Sequence, residues 1–318
     1  MTDNIQADAN NEITVDKNRD GQRIVIYLLM VFILTYLYEY FFVVRPIMSD
    51  AGNNIANMSL WVAIAMFFPA LCVVITRLVT GEGFGNSKIS LNLKNGRYRY
   101  YILAWFLPGI LTVIGILIYF AVFRDDYSSD MKFMIDTYAG QGISGITPEA
   151  ARMSAISQAF TAFLIGPILN CLTCFGEEWG WRGYLLHKLK GRFRPLPLMI
   201  LTGAIWGLWH LPLTIMGHNY GRDYAGYPYL GIFAMIVFCF SIGTFFSYVT
   251  LKTDSCIPAV IGHGAVNSIG ALGILFTKDG GRMLLGPSPS GLVSGIPILI
   301  VAIILIWFMC NNEEKEKK

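Results

Sequence analysis

The chain has 318 residues, 54% hydrophobic and only 14% charged, with a formal net charge of +3. A soluble domain carries roughly a quarter charged residues, so this balance excludes an ordinary water-soluble globular protein. The small net charge also leaves no electrostatic footprint for nucleic acid. The six cysteines (Cys72, Cys171, Cys174, Cys239, Cys256 and Cys310) fall mostly in apolar stretches and read as small hydrophobes. Cys171 and Cys174 form a C-x-x-C with no second pair, so neither a disulfide framework nor a metal clamp follows.

In chain order, residues 1–22 are polar and Asn/Asp-rich, which predicts a disordered tail rather than a signal peptide. Eight apolar runs of membrane-spanning length follow, each meeting the requirement of about 20 residues. They cover Ile24 to Val44, Ser59 to Val79, Tyr100 to Phe123, Ser154 to Leu189, Leu196 to Met216, Tyr229 to Leu251, Ile257 to Phe276, and Leu292 to Cys310. The fourth is apolar to Phe175 and continues through Glu177, Glu178 and Arg182. The longest loop runs from Arg124 to Arg152. The expected fold class is all-α: a polytopic transmembrane helical bundle of about eight spans, with a core of spans four to seven. Residues 23–311 make one transmembrane domain, with a core at about 154–276, and residues 312–318 make a charged tail. No internal repeat appears, which argues against an inverted-repeat transporter.

Basic residues are unevenly divided between the two ends of such a bundle. One side receives Lys17, Arg19, Arg23, Arg77, Lys88, Lys94, Arg97, Arg99, Arg182, Lys188, Lys190, Arg192, Arg194, Lys252, Lys315, Lys317 and Lys318, which is 17 of the 24. The other receives Arg45, Arg124, Lys132, Arg152, Arg222, Lys278 and Arg282. Positive-inside then predicts a multi-pass protein of the cell membrane with both termini in the cytoplasm. The Asn-rich start and lack of organelle signals point to a bacterial source.

A charged group at the centre of a span costs at least about 2.5 kcal/mol, so each one needs a reason. Span four carries F-G-E-E-W-G-W-R-G-Y, with Glu177, Glu178 and Arg182; span five carries W-G-L-W-H-L-P, with Trp206 and His210; span seven carries G-H-G-A-V-N, with His263 and Asn267. Glu178 and Arg182 are four apart and share a helix face, as do Trp206 and His210, and His263 and Asn267. Glu177 points about 100° away from Glu178, which allows the two carboxylates different roles. Gly180, Gly203, Gly207, Gly262 and Gly264 would permit close helix approach. Taken singly these residues have structural readings: a Glu–Arg clamp, a satisfied core histidine, tryptophans (Trp179, Trp181, Trp206, Trp209) as packing or interface anchors, His187 and His218 as incidental. Together, on three spans, they supply a base, imidazoles and an amide donor.

The E-E-x-x-x-R of Glu177 to Arg182, the aromatic-x-x-x-His of Trp206 to His210 and the H-x-x-x-N of His263 to Asn267 stand in the order of a known family's signature motifs. Over about Phe160 to Ala271 the chain resembles the CAAX protease and bacteriocin-processing membrane proteins, also called Abi, which are glutamate-type intramembrane endopeptidases. One departure is Trp206, where the family usually has Phe. The resemblance implies a metal-independent, cofactor-free hydrolase in which Glu177 and His210 activate a water. His263 and Asn267 would donate to the oxyanion, with Glu178, Arg182 and Trp206 in support. It implies a cavity among spans four, five and seven, expected to open to the cytoplasm. The implied partners are the lipid bilayer and a peptide or lipid-anchored protein substrate, with bacteriocin or peptide-signal maturation or self-immunity ahead of prenylated substrates. Two Glu/His alternatives stay open: a zinc-dependent membrane hydrolase, for which two His and a Glu are suitable ligands, and a non-catalytic immunity or scaffold protein.

Overall fold

Long apolar runs without polar interruption leave the backbone no hydrogen-bond partner but itself, so they must form helices. The computed structural model describes the backbone over residues 2–49 and 55–316 and side chains over residues 19–48 and 59–313. The expectations for the N-terminal tail and the charged C-terminal tail fall largely on side chains outside these ranges. Apart from one isolated bridge between Tyr127 and Thr277, the regular structure among the described residues is helical.

Helix α1 (Thr2–Glu39) runs through a π-helical turn (Tyr40–Val44) into Arg45–Ser49. It is followed by α2 (Ile55–Ala65), α3 (Phe68–Val79), α4 (Tyr98–Val122), α5 (Lys132–Gly140) and α6 (Pro148–Leu164). A single turn at Gly166–Leu169 leads to α7 (Cys171–Glu178), which continues as a π-helical stretch (Trp179–Leu185) and Leu186–Leu189. Then come α8 (Pro195–Trp209), α9 (Leu211–Ile215), α10 (Tyr229–Thr253), α11 (Ile257–Ile269) and α12 (Ile296–Glu316).

Six stretches among the described residues are long and apolar enough to cross a membrane: Arg19–Met48, Ser59–Val79, Tyr98–Val122, Tyr229–Thr253, Ile257–Phe276 and Ile296–Glu313. The chain is therefore a polytopic helical membrane protein. Two of the eight expected continuous spans, the fourth and fifth, are corrected by the structure: both are broken. Gly166 and Pro167 separate α6 from the pieces leading to α7, because proline lacks the N–H and its ring clashes with the preceding turn. Pro212 does the same to the fifth, so α8 ends at Trp209 and α9 starts again at Leu211.

Contacts define the two ends of the bundle. At one end Lys88 pairs with Asp254 at 2.7 Å and Lys188 reaches Asp20 at 2.6 Å and Glu82 at 2.7 Å. At the other, Ser128 N donates to Phe276 O, Lys278 N to Asp126 O, and the Tyr220 hydroxyl to Ser290 O. The broken fourth and fifth segments still carry the chain from one end to the other, with Lys188 beside Asp20 of α1 and Tyr220 beside Ser290.

Small residues let these helices touch backbone to backbone. A methyl group at Gly264 would stand 2.5 Å from Pro167 O, and one at Gly203 would stand 2.5 Å from Phe240 Cα. Gly264→Leu is accordingly expected to separate α11 from the turn at Gly166–Leu169. Overpacking of this kind costs about 1–3 kcal/mol or more, and a lowered unfolding midpoint of the purified protein would register it. An unchanged midpoint would show that α11 has room to shift.

Candidate active site

Helix α7 continues unbroken through both glutamates to Leu189, which carries Glu177 away from the charged end. It lies eleven residues before Lys188, or about 16 Å along the helix axis. Glu177 is 2% exposed and Glu178 is fully buried. The two carboxylates diverge as their 100° offset requires. Glu177 Oε2 accepts from the Trp206 indole Nε1 at 2.7 Å. Glu178 Oε1 accepts from Arg182 Nη1 at 3.0 Å and lies 2.9 Å from His263 Nδ1. The Arg182 guanidinium lies over the Trp206 ring, 4.1 Å from its centroid, and 5.3 Å from that of Phe246. The support residues Glu178, Arg182 and Trp206 thus make one buried cluster holding Glu177 and His263.

His210 owes its position to the break before Pro212. Its backbone N–H turns to Gly207 O, at 3.3 Å, instead of closing a full α-turn on Trp206. Trp206 O is left to the His210 ring, whose Nδ1 lies 2.8 Å from it. A carbonyl can only accept, so Nδ1 carries the proton and Nε2 of the neutral ring is left with its lone pair. The ring packs edge-on to Trp209, with centroids 4.9 Å apart.

His263 is wedged between aromatic rings, with centroids 5.4 Å from Trp206 and 5.7 Å from Phe246. Asn267 is one turn along α11, and its Nδ2 donates to Cys174 Sγ at 3.7 Å. Glu177, Trp206, His210, His263 and Asn267 all line one cavity of about 340 Å³. It lies among the fourth, fifth and seventh segments as expected, with further walls from Met66 of the second and Met235 and Cys239 of the sixth.

Further walls come from His218, Asn219, Met283 and Ser288 to Ser290, in loops at the end opposite the Lys188 and Asp20 cluster. The cavity therefore extends away from the end where α1 starts and α12 finishes. The motif residues lie away from the charged end: Glu177 precedes Lys188 by eleven residues on a segment that finishes there, and His210 follows α8, which starts there. His218 is on the cavity wall and is not incidental.

One buried acid escaped the sequence reading. Glu39 of α1 is fully buried, neither oxygen has a hydrogen-bond partner among the described residues, and it lies within electrostatic reach of Glu177. Its position inside an apolar run was the same signal that singled out Glu177. The C-x-x-C cysteines are free, with Cys171 Sγ donating to Pro167 O at 3.0 Å. Among the described residues no three His, Cys, Asp or Glu side chains gather as a metal site would require.

Comparison with known proteins agrees with these motifs. Residues 156–269 match the family model described as type II CAAX prenyl endopeptidase Rce1-like. A protein of Methanococcus maripaludis named CAAX prenyl protease 2 is 32% identical over 111 residues. That alignment takes in 34% of this chain and 40% of the relative, less than half of either. With the motifs on α7, α8 and α11 converging on one cavity, residues 156–269 constitute a domain of the Rce1-like type II CAAX prenyl endopeptidase family.

Proposed function

We propose that the protein is an intramembrane endopeptidase that hydrolyses a peptide bond with a glutamate-activated water and no metal. The observation that carries the reading is that Glu177, His210, His263 and Asn267 share one cavity. Glu177 has one oxygen held by Trp206, which leaves the other to take a proton. His210, with Nδ1 occupied by Trp206 O, accepts a hydrogen bond from the second water O–H at Nε2. A water held by two acceptors directs its lone pair outward, at a substrate carbonyl. Its oxygen bonds the carbonyl carbon as Glu177 takes one proton, and the C–N bond breaks as that proton passes to the leaving amine. The second water proton stays on the tetrahedral hydroxyl and leaves with the acid product, which loses it to solvent, so the products are a carboxylate and an amine. Asn267 donates to the oxyanion, and so does His263, whose ring is held from its Nδ1 side by Glu178.

The substrate is a peptide or protein held at the membrane. The prenylated C-terminal peptides named in the family and relative are one class, and unmodified peptide signals or bacteriocin precursors are the other. The assay is cleavage by the purified protein in lipid nanodiscs, followed by mass spectrometry. A farnesylated peptide is compared with its unmodified twin, with and without chelator. Cleavage is expected to survive the chelator, and Asn267→Ala to slow it about 10²-fold. Chelator-abolished activity restored by zinc would favour the zinc hydrolase. Folded protein that cleaves neither peptide class would favour a scaffold.

A further inference from the structure

At the end of the bundle remote from the catalytic cavity, a second cleft of about 500 Å³ opens between α8, α10 and α12. This is within the usual size of small-molecule sites. Its floor is apolar and closed: Leu198 is 3% exposed and Met199 is 1%, with Leu251 and Met309 beside them. Its mouth carries Lys190 and Lys252, opposed by one acid in the lining, Glu313. Neither lysine forms an ion pair with a described residue. Lys252 Nζ lies 5.6 Å from the centroid of the Tyr248 ring, and that ring lies 6.0 Å from Tyr100, an aromatic pair of the sort that marks a membrane interface.

A site with two lysines at its mouth and a buried apolar floor matches an amphiphile with an anionic head. We propose that this cleft binds an anionic phospholipid. The phosphate would meet Lys190 and Lys252, and the start of an acyl chain would lie on Leu198, Met199 and Met309. The polarity of the cleft carries the choice of occupant. A free phosphate has no use for the apolar floor, and a neutral lipid has none for the paired lysines. The end of the bundle agrees, because it gathers most of the basic residues and would face the negatively charged leaflet.

Native mass spectrometry of the delipidated full-length protein titrated with phosphatidylglycerol, phosphatidylcholine or inorganic phosphate tests this. Phosphatidylglycerol is expected to bind about 10- to 30-fold more tightly than phosphatidylcholine, the effect of two lysines near a charged headgroup. The double variant Lys190→Gln/Lys252→Gln should abolish that preference. Met309→Trp, which fills the floor without touching the charges, should weaken both lipids. Each variant is first matched to wild type in lipid-free thermal midpoint, and the two act independently, so a misfolded one leaves the other decisive. Equal affinity for the two lipids, or an unchanged preference in the double variant, would overturn the proposal. So would inorganic phosphate binding as tightly as the lipid.

Discussion

Glu177→Gln is expected to remove peptide hydrolysis by about 10²–10⁴-fold while leaving the fold intact, the range typical for loss of a general base. The substitution isolates one property. A glutamine amide has the same shape as the carboxylate, and its carbonyl oxygen can still accept from Trp206 Nε1, the 2.7 Å bond that anchors Glu177. Packing is conserved at a residue 2% exposed, and no charge is left stranded. What the amide cannot do is take a proton from water. Single-turnover cleavage of the best peptide, wild type against variant, gives the ratio, and the unfolding midpoint verifies that the structure survives. A variant that is folded and retains more than about a tenth of wild-type activity would remove Glu177 from the role of base. The reading would then have to pass to His210, whose unprotonated Nε2 is the other acceptor that the site geometry provides.

The membrane architecture was legible because hydropathy acts over whole helices. Six of the eight apolar runs became helical stretches long enough to cross a membrane. The two that broke did so at positions that hydropathy averages away. Pro167 and Pro212 are apolar enough to pass within a span, yet each removes a backbone donor. The break at Pro212 also shapes the site, since it frees Trp206 O and so sets the tautomer of His210. The four-residue spacing placed Trp206 and His210 on one face, but this backbone link between them could not be read from spacing alone.

The close-approach glycines were readable for a related reason, as local steric demands. Gly203 and Gly207 face the backbone of α10, and Gly264 faces Pro167. Contacts between distant segments were not readable. Nothing in the sequence links His263 to Glu178, 85 positions earlier, or brings Ser288 and His218 to the same cavity wall. Glu39 was lost for a third reason. It belongs to a helix outside the three motifs, where a lone acid in an apolar run has no spacing partner to mark it.

Glu178→Ala is expected to destabilise the protein by about 3–5 kcal/mol, the usual consequence of stranding a buried charge. Glu178 is fully buried and meets two cationic or cation-forming partners through the same oxygen, Arg182 at 3.0 Å and His263 at 2.9 Å. Arg182 is 3% exposed and pinned under Trp206, and a methyl group at Gly243 would stand 2.6 Å from its Nη2. The guanidinium therefore has no room to swing toward water once its carboxylate is gone. Arg182→Met should cost a comparable amount by stranding the carboxylate. The double variant, with no charge left to desolvate, should be less destabilised than the sum of the two. Unfolding midpoints in nanodiscs for all four proteins close this cycle, and additive losses would show that the pair is not coupled. Glu178→Gln separates support from clamp, because its amide oxygen can still accept from Arg182 and His263 without carrying a charge. It is expected to be more stable than Glu178→Ala and yet slower than wild type, since a neutral amide holds the His263 ring, and so its donor to the oxyanion, less firmly than the carboxylate does. Full activity in Glu178→Gln would mean that Asn267 alone carries that stabilisation.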